Sequence, residues 1–214
     1  MGIRYILYGA TKLGDEHKTA LVLGGYPVGR SFANLHIKSK NLEKTVEALR
    51  ELSKGHPKVL GKNEAQETKI VMYVSKSNED WISVLHDYFV WGTVKRIGKT
   101  LSQIIEGPVM TAGYMNEEIF ELSIFEDGNI QAERIVCEQW TRDEYELKEE
   151  LLNDDCLREA LDIRYEDLDD FIRITSPEQA VDKLSELVKM SLWADSEWIP
   201  YEEALRNRFG QYKF

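Results

Sequence analysis

Four groups of residues in this 214-residue chain have types and spacings that could do chemistry. The first is Gly24-Gly25-Tyr26-Pro27-Val28-Gly29-Arg30-Ser31, which approaches the phosphate-binding loop pattern with Arg30 where lysine is required. Such a loop works because glycine-rich backbone amides cradle phosphates at the start of a helix. Here the following segment alternates like a strand, and Pro27 removes one amide from the cradle. The segment therefore reads as a β-turn built on Gly24, Gly25 and Gly29.

The second group is the four histidines, His17, His36, His56 and His86, with the two cysteines, Cys137 and Cys156. No pair of histidines has metal-ligand spacing and no Cys-x-x-Cys occurs, so neither a metal site nor a cofactor is expected. His36 falls on the polar side of an alternating segment, which places it at the surface. His86 and Asp87 are adjacent in what reads as a helix, so their side chains diverge by about 100°. Both cysteines lie beside carboxylates, which raise a thiol's pKa and reduce its reactivity. No catalytic residue is assigned.

The third group is acidic. Between Asp143 and Asp170 there are 13 Asp and Glu against three basic residues, Lys148, Arg158 and Arg164. A calcium loop of the EF-hand type needs a central glycine, and no glycine occurs between Gly128 and Gly210. The density exceeds what a solvated face requires and carries self-repulsion that a base must relieve. That base belongs either to this chain or to a partner. The candidate binding residues are Asp154, Asp155, Glu166, Asp167, Asp169 and Asp170. The fourth group is aromatic: Trp81, Tyr88, Phe89 and Trp91. It reads as core packing, with a ligand pocket or dimer contact as the alternative, and Trp81, His86 and Trp91 are its candidate binding residues.

Charge divides the chain. The net charge is −11, but residues 1–105 carry +6 and residues 106–214 carry −17. This argues for two surfaces with different partners and against nucleic acid, which needs clustered Lys and Arg. No apolar run approaches the ~18 residues that cross a bilayer, and the first residues lack signal-peptide and myristoylation patterns. With two cysteines, a soluble cytoplasmic protein with reduced thiols is expected.

The elements that must position these groups follow from periodicity. Residues 3–8 and 19–23 read as strands around a polar loop, and residues 32–38 as a half-buried strand with Ala33, Leu35 and Ile37 inward. Asn41 caps a helix over 42–54 whose inner stripe is Leu42, Val46, Leu49 and Leu52. A strand over 69–75 follows. Ser77 to Asp80 has the form of a capping box opening a helix that carries Trp81, Leu85, Tyr88 and Phe89, and a second helix runs from Thr93 to Ile105. Residues 109–114, 119–125 and 130–136 make a strand meander, with Asp127-Gly128 at its tightest turn. Beyond Trp140, helices are expected at 143–152, 154–161 and 165–172, from Ser176 onward, and after Pro200. The fold class is α+β: a mainly antiparallel sheet of five to seven strands with flanking helices in residues 1–140, then an acidic helical region, 141–214, packed against it.

Residues 78–136 resemble an uncharacterised domain of Bacillus-type bacteria. The resemblance rests on Trp81-Ile82-Ser83-Val84-Leu85, Trp91-Gly92, Pro108-Val109, Glu117-Glu118-Ile119-Phe120-Glu121-Leu122 and Asp127-Gly128. These motifs are structural and imply no activity. Acidic proteins of this kind include immunity proteins that neutralise basic toxins, an analogy of type alone.

Two functional readings follow. The first is a non-enzymatic interaction protein, immunity- or regulator-like, whose acidic helical face binds a basic protein partner. The second is a small-molecule-binding module or enzyme with a pocket near the Trp81–Trp91 helix and His86 or His36 at its rim. A homodimer pairing basic and acidic halves is compatible with either.

Overall fold

The computed structural model describes residues 21–23, 26–28, 30–62 and 69–214. The expected strand at 3–8, its polar loop and His17 lie outside these residues. β1 (Leu21–Leu23) and β2 (Tyr26–Val28) form an antiparallel pair with Leu23 opposite Tyr26. The next element is again a strand, β3 (Phe32–Lys38), so no helix follows the glycine-rich segment to receive a phosphate.

β3 is the centre of a seven-stranded antiparallel sheet. The other strands are β4 (Val71–Lys76), β5 (Trp81–Leu85), β6 (Val109–Met115), β7 (Ile119–Glu126), β8 (Asn129–Cys137) and β9 (Gly210–Lys213). Their order is β8-β7-β6-β3-β5-β4-β9. The Asp127-Gly128 turn joins β7 to β8 as its sequence predicts. Both residues have positive φ, 50° and 75°, as a two-residue hairpin of the right twist demands.

Helices cover both faces, and the side-chain alternation assigns each strand residue to one of them. On one side lie α1 (Leu42–Gly55) and α2 (Thr93–Leu101). Asn41 caps α1 by accepting a hydrogen bond from the Lys44 amide at 3.0 Å. Leu49, Leu52, Ile97 and Leu101 from these helices pack on Ala33, Leu35, Ile37, Val84 and Phe125. Gly98 lets α2 close on the sheet, because a Cβ there would collide with the Thr111 methyl. On the other side lie α4 (Asp154–Leu161), α5 (Tyr165–Ile172) and α6 (Pro177–Leu187), after a short α3 (Gln139–Glu144). Leu157, Phe171, Val181 and Leu184 pack there on Phe32, Met110, Tyr114, Phe120 and Leu122. A third, smaller cluster joins Leu85, Ala194 and Ile199 to Leu205 and Phe209 around α7 (Glu203–Arg208). The architecture is α+β, with helices concentrated toward the C-terminus.

Several local expectations are corrected. Trp81 to Leu85 is a strand and no helix spans 80–91. Asn78 Oδ1 accepts the amides of Asp80 and Trp81 at 2.9 and 2.8 Å, so the apparent capping box is the turn of the β4–β5 hairpin. All five residues of β5 are buried, so polar alternation could not mark them as a strand. His36 is 1% exposed rather than at the surface, because β3 is covered on both sides. The helix expected at 143–152 is replaced by α3 and then by an extended segment laid along β8, the edge of the sheet. The Glu133 amide donates to the Leu151 carbonyl at 2.8 Å, and the Glu149 carboxylate accepts from the Ile135 amide at 3.2 Å. Carboxylates and carbonyls here satisfy an edge that would otherwise invite another strand. The helix after Thr93 ends at Leu101, not Ile105. At the opposite edge, β9 pairs with β4, with Gly210 opposite Val74; sequence periodicity does not reveal this short strand.

Candidate interaction surface

α4 and α5 carry the six acidic candidates, and the structure brings the two helices side by side. Asn153 caps α4 by accepting from the Cys156 amide at 3.2 Å, which puts Asp154 and Asp155 in the first turn, where the helix dipole favours negative charge. Glu166 and Asp167 take the same place in α5. The helices are joined by Tyr165, whose hydroxyl lies 3.4 Å from Asp155 Oδ1 and whose ring lies 4.4 Å from the Arg158 guanidinium.

Half of these acids have an arginine partner. Asp154 is paired with Arg134 from β8. Arg164 grips Asp167 through Nε at 2.8 Å and Nη2 at 3.0 Å, holding its carboxyl below the usual range and its own guanidinium pKa up. Asp169 lies 3.9 Å from Arg173. Asp155, Glu166 and Asp170 are exposed and make no ion pair among the described residues. Of the basic first half, Lys95 reaches this acidic stretch, at Glu150.

Apolar side chains are exposed within the same stretch. Among the described residues, six of the eight exposed large apolar side chains lie between Trp140 and Ile172. They include Trp140 at 53%, Leu152 at 59% and Tyr165 at 60% exposure. Leu151, Leu152, Asp154 and Asp155 lie where the extended segment enters α4, and Tyr165, the first residue of α5, reaches Asp155. Charge density alone could not find these residues, because the helix expected at 143–152 would have turned part of them inward.

The aromatic candidates do not share one wall. Trp81 is buried on the α4–α6 side, where Lys38 Nζ lies 5.9 Å from its ring centre and donates to the Ala160 carbonyl at 2.8 Å. Trp91 packs against Gly113 on the α2 side. His86 is buried beside Phe89, and its Nδ1 lies 3.0 Å from Asp87 Oδ1, so the two side chains meet where a helix would have set them apart. Its Nδ1 accepts from the Tyr88 amide at 2.9 Å, and burial depresses its pKa, against the pull of Asp87 and with the help of Lys62.

Two polar groups that sequence reading missed lie in the sheet. Lys95 on α2 meets Glu133 on β8, Glu150 at 2.9 Å and Glu121 on β7 at 3.9 Å. Glu133 is fully buried and both its oxygens are used, by the Ser123 hydroxyl at 2.9 Å and the Glu150 amide at 2.6 Å. Burial first, and the neighbouring Glu133 and Glu150 charges next, push Glu121 up to about 7 against the attraction of Lys95. The Trp91 indole N–H lies near enough to favour the Glu121 charge but short of an aligned hydrogen bond. Every acceptor of Glu133 is committed to holding elements together, so the cluster ties α2, β7, β8 and the 145–152 segment.

On the opposite face, Asn34, His36, Ser83 and Ser77 form a hydrogen-bonded chain. Asn34 Nδ2 donates to the Leu192 and Ala194 carbonyls at 2.6 and 3.0 Å. Its Oδ1 accepts from His36 Nε2 at 2.7 Å, and His36 Nδ1 accepts from Ser83 Oγ at 2.8 Å. Ser77 continues the chain at Ser83. Burial, assisted by the Arg208 charge, pushes His36 down to about 3, so it is neutral at physiological pH. The chain resembles a Ser–His–Asn arrangement, but the Ser83 hydroxyl is buried in the sheet and serves as a brace.

Cys137 and Cys156 are free thiols, and burial raises the Cys137 pKa. Among the described residues, no three or more His, Cys, Asp or Glu side chains are arranged to hold a metal ion. No helix among them is long and apolar enough to cross a membrane. No protein-family model, curated protein or solved structure matches the chain.

Proposed function

We propose that this chain is a non-enzymatic interaction protein, immunity- or regulator-like, that binds a basic protein through the surface formed by residues 150–155, α4 and α5. The observation that carries the reading is coincidence: unpaired acids and exposed large apolar side chains occupy the same surface. Acids alone would favour solvation, and scattered apolar residues alone are ordinary on any protein. Together they match an interface in which apolar anchors supply affinity and the surrounding charge steers association and rejects wrong partners. The fit is to a partner that presents Lys or Arg around an apolar patch.

The division of paired and unpaired acids supports this. Asp154 and Asp167 are already held by arginines, whereas Asp155, Glu166 and Asp170 keep their charge for an incoming base. Leu152 and Tyr165 are the expected anchors, and truncating an anchor of this type costs about 1–3 kcal/mol of binding.

Affinity capture from the native lysate tests the proposal when three baits are compared: the native chain, a Glu166→Gln/Asp170→Asn variant and a Leu152→Ser variant. The expected result is a basic protein retained by the native chain, released as salt rises past the ~0.15 M at which surface charges are screened within about 8 Å, and lost from both variants. Equal retention of the same proteins by all three baits would overturn it.

A further inference from the structure

Trp193 and Trp198 stand on one loop, residues 192–198, that β3 fastens in place. Asn34 Nδ2 donates to the Leu192 and Ala194 carbonyls at 2.6 and 3.0 Å, one on each side of Trp193. Asp195 Oδ2 accepts from the Ala33 amide at 3.3 Å. Its Oδ1 accepts from the Glu197 amide at 2.9 Å and so caps the short 3₁₀ turn, Ser196–Trp198, that carries the second tryptophan. Leu192 and Ala194 are buried, whereas Trp193 between them and Trp198 beyond them are half-buried. The sheet therefore sets the backbone of both tryptophans and leaves part of each ring in solvent.

Phe32, the first residue of β3, completes a three-sided aromatic box. Its buried ring lies 5.2 Å from Trp193 and 6.3 Å from Trp198, and the two indoles stand at 68° and 73° to it. Tyr114 braces the box, stacked 5.4 Å from Phe32 and edge-on 5.0 Å from Trp193. The Trp193 indole N–H donates to Asp182 at 2.7 Å, which fixes the rotation of that ring. Aromatic faces carry negative potential, so such a box attracts a cation.

Arg30 fills it. Its guanidinium carbon lies 4.2 Å from the Trp193 ring centre and 5.1 Å from that of Trp198. Arg30 is half-buried, belongs to no strand or helix, and makes no hydrogen bond or ion pair among the described residues. The walls are thus fastened by hydrogen bonds, and their occupant by ring faces. A cation–π contact at a partly exposed ring holds its cation by only about 2–5-fold, so the occupant is exchangeable while the box is not. When the Arg30 side chain turns out into solvent, the volume it leaves already has the size of a guanidinium.

We propose that Phe32, Trp193 and Trp198 form a binding site for a weakly hydrated organic cation, an arginine side chain or a methylated ammonium, and that Arg30 is its built-in competitor. A lysine fits less well, because its compact ammonium holds water more strongly. Arg30 must leave before a ligand enters, so it lowers the apparent affinity in proportion to the time it occupies the box. The site uses none of the acids of α4 and α5, and it stands or falls separately from the acidic surface.

The indole N–H signals in proton–nitrogen correlation spectra of the full chain test the site. Tetramethylammonium chloride is titrated in one arm and N-acetylarginine amide in the other, with NaCl at matched ionic strength as the reference. The expected result is a saturable shift of the Trp193 and Trp198 signals with at least one cation. Trp140, exposed on the acidic surface, should not move beyond the NaCl reference. The arm with the lower half-saturation concentration identifies the ligand class. Arg30→Ala empties the box and should bind the same cation about tenfold more tightly, a gain that a misfolded chain cannot produce. Trp198→Leu removes one wall and should weaken binding about fivefold, and Arg30→Ala carries the test if that variant does not fold. An Arg30→Ala chain that binds neither cation, or binds no more tightly than the native chain, would overturn the proposal. So would a folded Trp198→Leu variant that binds like the native chain, or shifts at Trp140 equal to those in the box.

Discussion

Two groups of carboxylates in this molecule do opposite work. Around α4 and α5, Asp155, Glu166 and Asp170 are exposed and make no ion pair among the described residues. Around Lys95, Glu121, Glu133 and Glu150 are drawn from three elements onto one ammonium, with Glu133 fully buried. The first group is cheap to alter and available to a partner. The second is structural, with Glu121 and Glu133 committed inside the fold and Glu150 at its rim. The difference teaches that the number of acids in a region says little about its role: solvation and hydrogen-bond commitment decide it.

The comparison breaks most visibly at Glu133. Replacing it with alanine leaves Lys95 short of its closest partner and orphans the Ser123 hydroxyl and the Glu150 amide. Glu133→Ala is expected to lower the unfolding free energy by about 3 kcal/mol in chemical denaturation. A loss below about 1 kcal/mol would mean that the cluster is not the tie described above.

Glu121 offers a smaller effect of opposite sign. The folded chain holds its proton up to about 7 against the usual 4.5, so the folded state binds more protons than the unfolded one between those values. Stability therefore falls as pH rises from about 4.5 to about 7 and stays low above it. Glu121→Gln removes the charge without changing the shape. It should gain about 1–3 kcal/mol at pH 8 and approach the native chain at pH 4.5, since one pKa unit is worth about 1.4 kcal/mol. Unfolding curves at the two pH values measure this. A variant less stable than the native chain at pH 8 would show that the Lys95 attraction outweighs burial.

The smallest effect belongs to the exposed group. Glu166→Gln and Asp170→Asn should change stability by no more than about 0.5 kcal/mol in either direction. A larger loss by the same denaturation assay would place these acids in the fold's own architecture rather than on a free surface.

What the sequence made legible follows the same division. Asp127-Gly128 announced its hairpin because few residues tolerate positive φ, and Ser176 announced α6 because its hydroxyl caps the Gln179 amide at 3.4 Å. The acidic surface was legible as density. Trp81 to Leu85 misled because a strand buried on both faces has no polar alternation, so its apolar spacing fits a helix as well. His36 misled for the converse reason: Asn34, His36 and Lys38 alternate as a solvent face would, yet Asn34 and His36 bond each other and His36 bonds Ser83 on a strand distant in sequence. Glu149 and Glu150 favour helix by propensity, and the unmet edge of β8 claims them instead.

The segment that covers β8 has one further consequence. Leu151 turns its carbonyl inward to the Glu133 amide and leaves its side chain in solvent beside Leu152. A partner that seats on these leucines also clamps the cover onto the sheet. Binding outside and amide protection inside become linked equilibria, so the Glu133 amide is a natural hydrogen-exchange reporter: each increment of affinity for the closed cover slows its exchange by the same free energy.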